Sequence, residues 1–445
     1  MAGMNKLPRI SVLWFRHGLR LHDNPALLDA IKNSDEFYPI FIFDGESAGT
    51  RLVGYNRMRF LLEALADLDR QLRAVGGQLY LLQGSPSRLF QRLWEERSLT
   101  KLCFEQDCEP IWHARDAKVR ATCIDRCIHC NEHISHTLWD PKEVIRTNGG
   151  SPPLTYQLFL HTVSVIGDPP RPVADPDWSN VKFGKLPEII TQEFKMFACV
   201  PSPEHFGLTP PATSPVVRWV GGETQALKHL QERLQVEEAA FMRGVILPNR
   251  ASPDLLAPPT SQSAALRFGC LSVRREGWMH HVARNSVACF LTRGALWQSW
   301  EHGLQHFLKH LIDADWSVCA GNWMWVSSSS FEQLLDCSQY VCPVNYGRRR
   351  YVPELRRYPV EYLYEPWKAP LETQQNAGCI IGEDYPERIV DHTKALKQNR
   401  KYMQKLRDEM MEATPDHCCP SNEDEVLSFM QLPEACFEEL NMSQA

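Results

Sequence analysis

Residues 10–28 read ISVLWFRHGLRLHDNPALL, and this stretch decides the fold of the first part of the chain. Its first six residues, Ile10–Phe15, form a short apolar run of the kind found in parallel strands that are buried on both faces. Asp23, Asn24 and Pro25 then predict the start of a helix, because proline is favoured in the first turn of a helix. A strand, a polar turn and a capped helix are the first half of a βαβ unit.

The same alternation of strand and helix continues to about residue 140. Further strands are predicted at Tyr38–Asp44, Gln78–Gln83 and Leu102–Glu105, and a long helix is predicted at Asn56–Val75. This order predicts an open parallel sheet with helices on both faces. We therefore expect a doubly wound α/β domain over residues 1–140.

The remaining chain divides by composition. Prolines, glycines and serines punctuate residues 141–221, which we predict to be a connector. Beyond it, apolar residues recur at helical spacing, most clearly over Leu227–Phe241 and Trp278–Leu311, so residues 222–413 are predicted to be an all-helical domain. Residues 414–445 contain no Lys or Arg and are predicted to be an acidic tail.

Composition limits the possible functions. The 445 residues include 43% hydrophobic residues, enough for two or three domains with cores of their own. Lys and Arg number 48 and Asp and Glu 54, a net charge of −6, so the basic surplus usual in duplex-binding proteins is absent and no sequence-specific nucleic-acid binding is expected. We expect neither a secretory signal nor a membrane span. Fifteen cysteines without such a signal predict reduced thiols in the cytoplasm and nucleus.

Several segments resemble the photolyase/cryptochrome family, in the order in which that family carries them. The N-terminal signature of the family is similar to residues 14–27. Its FAD-binding motifs resemble LRFGCLS at 266–272, GWMHH at 277–281, LIDADWS at 311–317 and GNWMW at 321–325. The resemblance covers essentially the whole chain and implies FAD as cofactor. Insect (Drosophila-type) cryptochromes fit best, because Cys319 stands where photolyases typically have Asn beside the flavin N5, and residues 420–426 resemble the insect tail.

The resemblance implies FAD-binding positions residue by residue. Asp313 and Asp315 would accept hydrogen bonds from polar atoms of the ribose and of the flavin edge, whereas their spacing alone fits two solvated carboxylates at a helix end. His281 and Arg284 share one helical face and would lie against the flavin, where the cation of Arg284 would stabilise an anionic flavin. The implied set is completed by Arg233, Ser261 and Ser263 near the diphosphate or ribose, Ala314 between the two acids, and Cys319 facing flavin N5 in a tuning role.

Tryptophans of the helical domain form a candidate electron-transfer chain. An aromatic stripe on a helix is usually core. In cryptochromes, however, light-excited flavin is reduced by an adjacent tryptophan, and the hole moves outward along further tryptophans. The resemblance implies Trp323 as the proximal donor, Trp300 as the middle one and Trp297 as an outer one. Their i, i+3 spacing predicts Trp297 and Trp300 on one helical face.

Cysteines and histidines cluster between residues 123 and 136, where a metal site has to be considered. The spacing of Cys123, Cys127 and Cys130 superficially suits a metal cluster, and three histidines lie nearby at positions 129, 133 and 136. The pattern lacks a second CxxC partner, and the resemblance places this stretch in the sheet domain. We therefore predict no metal site.

The resemblance also implies an internal deletion in the FAD domain. Relatives carry several helices between the segment matching residues 271–275 and the motif at Gly277, whereas this chain passes from Arg275 into that motif through one residue. The difference is roughly ninety residues, most of a small domain. Loss of core helices exposes apolar surface worth roughly 25 cal/mol per Å², and a few hundred Å² offset much of a net stability of about 5–15 kcal/mol. We therefore predict that FAD binding is weakened or lost.

The function that the resemblance implies is a blue-light photoreceptor of the circadian clock, which is not an enzyme. Flavin photoreduction would release the tail and expose a surface for partners, so that the protein regulates clock transcription. The expected partners are the clock proteins timeless and period and components of ubiquitin ligases. Two alternatives stay open. One is a light-independent scaffold that represses transcription. The other is a DNA photolyase, which the net negative charge and Cys319 disfavour.

Overall fold

The protein is described by a computed structural model. It describes residues 8–45, 53–107, 109–153, 156–211, 219–242, 263–271, 287–327, 329, 353–362 and 365–413. The chain divides into two compact units. Of the described residues, the first unit contains those up to 242 together with 263–271 and 305–319, and the second contains the others.

A five-stranded parallel sheet, in the order β3-β2-β1-β4-β5, organises the first unit. Its elements are β1 Ile10–Phe15, α1 Pro25–Ile31, β2 Glu36–Phe43, α2 Tyr55–Ala74, β3 Tyr80–Gln83, α3 Pro86–Arg97, β4 Leu99–Glu105, α4 Pro110–Asp125 and β5 His129–His133. The predicted α/β class and parallel sheet are confirmed, and β1 has the predicted bounds. The prediction missed β5, because its sequence HCNEH contains no apolar run.

Two hydrophobic cores cover the two faces of the sheet. Successive side chains of a strand point to opposite faces. Leu13 and Phe15 therefore pack with α1 and α2, whereas Val12 and Trp14 pack with α3 and α4. Burial on both faces explains why the central strands are almost continuously apolar, the property from which the sequence predicts them.

The turn between β1 and α1 has the predicted cap. The side chain of Asn24 accepts a hydrogen bond from the backbone N–H of Leu27 at 3.0 Å, and Pro25 opens the helix. The backbone of Gly269 approaches this turn so closely that a Cβ there would lie 2.1 Å from the backbone nitrogen of Gly18. Gly269 also has φ +63°, so this contact between distant parts of the sequence requires glycine.

The remaining helices follow the sheet. They are α5 Pro141–Thr147, α6 Tyr156–Ile166, α7 Glu188–Glu193, α8 Glu223–Met242, α9 Ser263–Arg267, α10 Trp300–His310, α11 Trp316–Val326, α12 Leu371–Ala377 and α13 His392–Ala413. Short 3₁₀ turns lie at Pro203–Phe206, Pro353–Leu355, Val360–Tyr362 and Pro366–Lys368. The predicted helix at Leu227–Phe241 is confirmed as α8. None of the helices in the described part of the chain is both long enough and apolar enough to cross a membrane.

The helical pattern predicted over Trp278–Leu311 is interrupted within its described part, which begins at residue 287. A π-helical turn at Phe290–Gly294 contains a kink at Thr292, where φ is −97° and ψ is −118°. Helix α10 starts only at Trp300, and Trp297 before it has φ +51°, outside the right-handed helical region. Apolar periodicity continues through such a break, so the sequence pattern does not reveal it.

Candidate functional site

Charged side chains from distant parts of the sequence converge at the carboxyl edge of the sheet in the first unit. The carboxyl ends of parallel strands are where open α/β sheets usually place their sites. We call this group the carboxyl-edge cluster. It consists of Arg16, His17, Glu105, Asp107, Glu109, His136, Arg267 and Asp315, of which all but His136 and Asp315 are buried.

Arg267, the last residue of α9, is the centre of the cluster. Its Nη2 lies 2.5 Å from Oε1 of Glu109, and its Nη1 lies 3.4 Å from Oδ2 of Asp315. Its Nε donates a hydrogen bond of 2.9 Å to the backbone oxygen of Ala314. One guanidinium thus fixes the turn that precedes α11.

Arg57 of α2 holds the same turn from another side. Its Nη1 donates to the backbone oxygens of Leu311, Ile312 and Ala314 at 3.0, 3.2 and 2.9 Å. The side chain is buried, and its guanidinium lies 5.4 Å above the ring of Phe268. These carbonyls precede α11 and have no partner within it, so the guanidinium helps to satisfy them together with Arg267, which donates to Ala314, and the backbone N–H of Ala314, which donates to Leu311.

Asp315 both caps α11 and takes part in the cluster. Its Oδ1 accepts a hydrogen bond of 2.9 Å from the backbone N–H of Val318, and its Oδ2 lies 3.4 Å from Nε2 of His136. Burial alone would raise the pKa of Asp315, but the hydrogen bond with His136 and the charge of Arg267 hold it well below its usual value. Burial alone would lower the pKa of His136, but the hydrogen bond to Asp315 and the charge of Glu105 raise it. The carboxylate is therefore ionised and already engaged by the protein.

Further buried ion pairs extend the cluster towards the sheet. Arg16 lies 2.6 Å from Asp116, and His17 pairs with Asp107. Burial opposes ionisation of Asp107, but the neighbouring His17 holds the pKa of Asp107 far below its usual value. Removing one member of such a pair leaves a buried charge without compensation, which is strongly destabilising.

The structure brings together part of the predicted FAD-binding set. Asp313, Ala314, Asp315 and Cys319 lie on the turn before α11 and on its first turn, within the first unit. Ala314 is fully buried and Cys319 is buried. Of the other members, Arg233 lies on α8 and Ser263 begins α9, whereas Ser261, His281 and Arg284 lie outside the described residues. The assignment of these residues to FAD stays a prediction.

The predicted electron-transfer tryptophans lie in the second unit. Trp323 of α11 is buried, and a Cβ on Gly303 of α10 would lie 2.1 Å from its Cη2 atom. The ring of Trp297 packs on Tyr402 of α13, with 5.1 Å between the centroids. Trp300 is the first residue of α10, so the prediction that Trp297 and Trp300 share a helical face is wrong, because Trp297 precedes the helix in a left-handed conformation.

Arg57 and Glu109 are residues of this site that sequence reasoning missed, and it considered His136 only as a metal ligand. A usable signal existed for Arg57, because it lies in the predicted helix Asn56–Val75 among apolar residues that face the core. No sequence signal pairs Glu109 with Arg267, since 158 residues separate them.

A possible metal site within the described residues is the group Asp29, Cys103 and His133, whose ligand atoms lie within 4.8 Å of one another. The carboxylate of Asp29 is already bonded to Lys101 at 3.3 Å and to Asn131 at 2.7 Å. Burial also raises the pKa of the Cys103 thiol, and metals bind the thiolate. The carboxylate of this group is therefore already bonded to residues of the protein, and its thiol is held in the protonated form.

Comparisons with known families agree with this architecture. The DNA photolyase family matches residues 11–177, and the FAD binding domain of DNA photolyase matches residues 269–405. Cryptochrome-1 of Aedes aegypti is 47% identical over 535 aligned positions, which cover 95% of this chain and 98% of that protein. Cryptochrome-1 of Drosophila melanogaster is 45% identical over 534 positions, with the same coverage.

Solved structures share the fold. A class III photolyase from Agrobacterium tumefaciens has a TM-score of 0.70 at 22% identity and covers 91% of this chain and 99% of its own. A cryptochrome from Synechocystis has a TM-score of 0.72 at 18% identity, with 89% of this chain and 100% of its own covered.

The chain belongs to the photolyase/cryptochrome family of FAD-binding proteins. Within this family it is of the insect, Drosophila type, as its identity of 45–47% to three insect relatives shows.

The alignment with the mosquito relative also reveals missing residues. It spans 535 positions, whereas the whole chain has 445 residues, so at least 90 positions (535 − 445) face gaps in this chain. Because 95% of this chain and 98% of the relative are aligned, these gaps lie inside the alignment. The total length of these gaps agrees with a deletion of roughly ninety residues. That they form one deletion, and that it lies after Arg275, stay predictions.

The described residues offer hydrogen-bond acceptors of the type that FAD requires. The turn at Asp313–Asp315 offers carboxylates, which are pure acceptors for ribose hydroxyls and ring N–H groups. Arg57 and Arg267 hold the backbone of this turn in place. FAD is therefore the cofactor that the family match indicates, whereas the assignment of Asp313 and Asp315 to it stays a prediction.

Proposed function

We propose that this chain is a blue-light photoreceptor of the circadian clock, which signals through protein partners and does not catalyse a reaction. The observation that carries the proposal is its identity of 45–47% to Cryptochrome-1 of three insects over 98% of the length of each. Cys319 in place of the photolyase Asn and the net charge of −6 support signalling over DNA repair.

The residues of the chain support this role in different ways. FAD, when bound, absorbs blue light and accepts an electron. Asp315 and the turn before α11, fixed by Arg57 and Arg267, would orient the cofactor. The buried indole of Trp323 is shielded from water and would be the nearest electron donor. The Cys319 thiol, a weak hydrogen-bond donor, would tune the flavin from its N5 side.

The partners that we propose are the clock proteins timeless and period and components of ubiquitin ligases, met in the cytoplasm and nucleus. Release of the C-terminal tail after photoreduction would expose the surface that they bind. A second candidate function is a light-independent repressor scaffold. The gap of at least 90 aligned positions favours it, because we predict that the gap removes part of the flavin domain, and a scaffold would need no flavin.

The experiment that tests the proposal starts from the full chain purified in the dark. Its visible spectrum before and after added FAD gives the flavin content, for which we expect much less than one flavin per chain before FAD is added. Blue light should then reduce the bound flavin, and Trp323→Phe should slow this reduction at least tenfold, whereas Trp367→Phe, at a half-exposed site, should leave it unchanged.

Capture of timeless in the dark and in the light completes the test. Capture that requires light supports the photoreceptor. Equal capture in the dark, without flavin, supports the scaffold and overturns the photoreceptor. Repair of pyrimidine dimers under blue light overturns the non-enzymatic role.

A further inference from the structure

Helix α4 and strand β5 bring two cysteines of the first unit together. Arg120 of α4 donates a hydrogen bond of 2.9 Å to Glu132 of β5, which fixes the two facing surfaces. Cys123 lies three residues after Arg120 and therefore on the same face of α4, and Cys130 lies two residues before Glu132 on the same face of β5. Cys130 packs against the core to which Cys123 belongs, so the two thiols face each other between α4 and β5.

The two thiols differ in their access to solvent. Cys123 is fully buried in the core between the sheet and α4. Cys130 is half-buried and lines a cavity of about 570 Å³ together with Arg120, Asp116 and Glu132. A small molecule can therefore reach Cys130 through the cavity, whereas Cys123 does not line the cavity and is closed to solvent.

The electrostatic surroundings give the two thiols different roles. The hydrogen bond from Cys123 lowers the pKa of Cys130, and the nearby charge of Arg120 acts in the same direction against burial and the charge of Glu132. The same hydrogen bond, together with burial, raises the pKa of Cys123. Thiolates are the nucleophilic form of cysteine, so the accessible thiol is also the more reactive one.

We propose that Cys130 and Cys123 form an oxidisable dithiol, in which Cys130 reacts first with a hydroperoxide and Cys123 resolves the product as a disulfide. In the first step the sulfur of Cys130 attacks the peroxide, the O–O bond breaks, and a sulfenic acid and water form from the thiol and hydrogen peroxide. In the second step the sulfur of Cys123 attacks the sulfenic sulfur, the S–O bond breaks and water leaves. The two thiols lose two electrons, which reduce one peroxide. This modification site is independent of the proposed light reception.

The proposal is testable because solvent exposure alone predicts that a different cysteine is oxidised first. Cys127 lies in the turn between α4 and β5, with φ +55°, and it is more exposed than Cys130. If solvent access alone decided reactivity, Cys127 would be oxidised first. The geometry instead assigns the reaction to the pair that meets across α4 and β5.

The test uses the full chain, treated with hydrogen peroxide in the dark, blocked with N-ethylmaleimide and digested with trypsin. Cleavage after Arg120, Arg126 and Lys142 places Cys123 on one peptide and both Cys127 and Cys130 on the next. The variant Cys127→Ser therefore makes the linkage unambiguous. We expect it to give the same disulfide-linked peptide pair as the unsubstituted chain. Cys130→Ser should reduce this product at least about tenfold.

Two further measurements keep the result interpretable. Cys123→Ser should leave a sulfenic acid on Cys130 that dimedone traps. In urea, Cys130 and Cys103 should be oxidised at similar rates, because the faster oxidation of Cys130 depends on the folded structure. The proposal is overturned if the linked peptides persist in Cys130→Ser, if they are absent from Cys127→Ser, or if the folded chain oxidises Cys103 as fast as Cys130.

Discussion

Replacement of Arg57 by methionine tests whether one guanidinium holds the turn before α11. The Nη1 group has two protons, which three backbone oxygens at 2.9–3.2 Å share. A hydrogen bond from a charged group contributes about 1.5–3 kcal/mol net, so two protons correspond to about 3–6 kcal/mol. Methionine keeps the apolar contact and avoids the cost of burying a charge, which offsets part of this loss. We expect Arg57→Met to lower the free energy of unfolding by about 2–4 kcal/mol.

The assay is urea unfolding of the full chain, followed by circular dichroism, with Arg73→Met as the matched control. Arg73 lies on the same helix, is half-exposed and pairs only at the surface, with Asp69 at 2.7 Å. Its replacement should change the unfolding free energy by no more than about 0.5 kcal/mol. Hydrogen exchange should also become faster at the amides of residues 311–319 in Arg57→Met alone. Equal unfolding midpoints for the two variants, or unchanged exchange in this segment, would refute the reasoning.

Two other predictions follow from the same contacts and from the second unit. Because the pKa of His136 is raised in the folded state by Asp315, the stability that this contact contributes is complete below the ordinary imidazole pKa of about 6.5 and is lost as the pH rises through the raised value. Urea midpoints should therefore fall between pH 6 and pH 9, and His136→Gln should flatten this dependence; parallel curves for the two proteins would contradict the contact. Gly303→Ala places a Cβ within 2.1 Å of the Trp323 ring and should cost about 1–3 kcal/mol, measured by thermal unfolding. Gly321→Ala on α11, whose Cβ would meet nothing within 4 Å, should be neutral or stabilising by up to about 1 kcal/mol, and equal effects of the two would count against the packing.

Local physics made much of the fold predictable. The strand Ile10–Phe15 and the cap at Asn24 follow from neighbouring residues alone, because burial on both sheet faces and helix capping leave short patterns in the sequence. Strand β5 was missed because its residues HCNEH are polar: it is the last strand of the sheet and contacts water. The break before Trp300 was missed because a π-turn leaves the apolar spacing unchanged.

The candidate site was less predictable, because its contacts join distant parts of the chain. Asp315 was singled out through family resemblance, whereas its partners His136 and Arg267 lie 179 and 48 residues (315 − 267) away in sequence. No periodicity encodes such pairs. What the sequence does contain is an arginine in the apolar part of a helix, Arg57, and a buried arginine needs acceptors. This rule predicts that Arg57 has hydrogen-bond acceptors near it, but it does not identify them.

The first unit takes its last segment, residues 305–319, from far along the chain, and this matters for how the protein is made. The sheet and its helices have left the ribosome once residue 242 is exposed, but the turn that Arg57 and Arg267 grip follows up to 77 residues later (319 − 242). At about 5–20 residues per second, this is a delay of several seconds, during which the guanidinium of Arg57 lacks its carbonyl partners. A nascent chain arrested before residue 305 should therefore be sensitive to proteases and bound by chaperones, whereas one extended past residue 319 should be resistant.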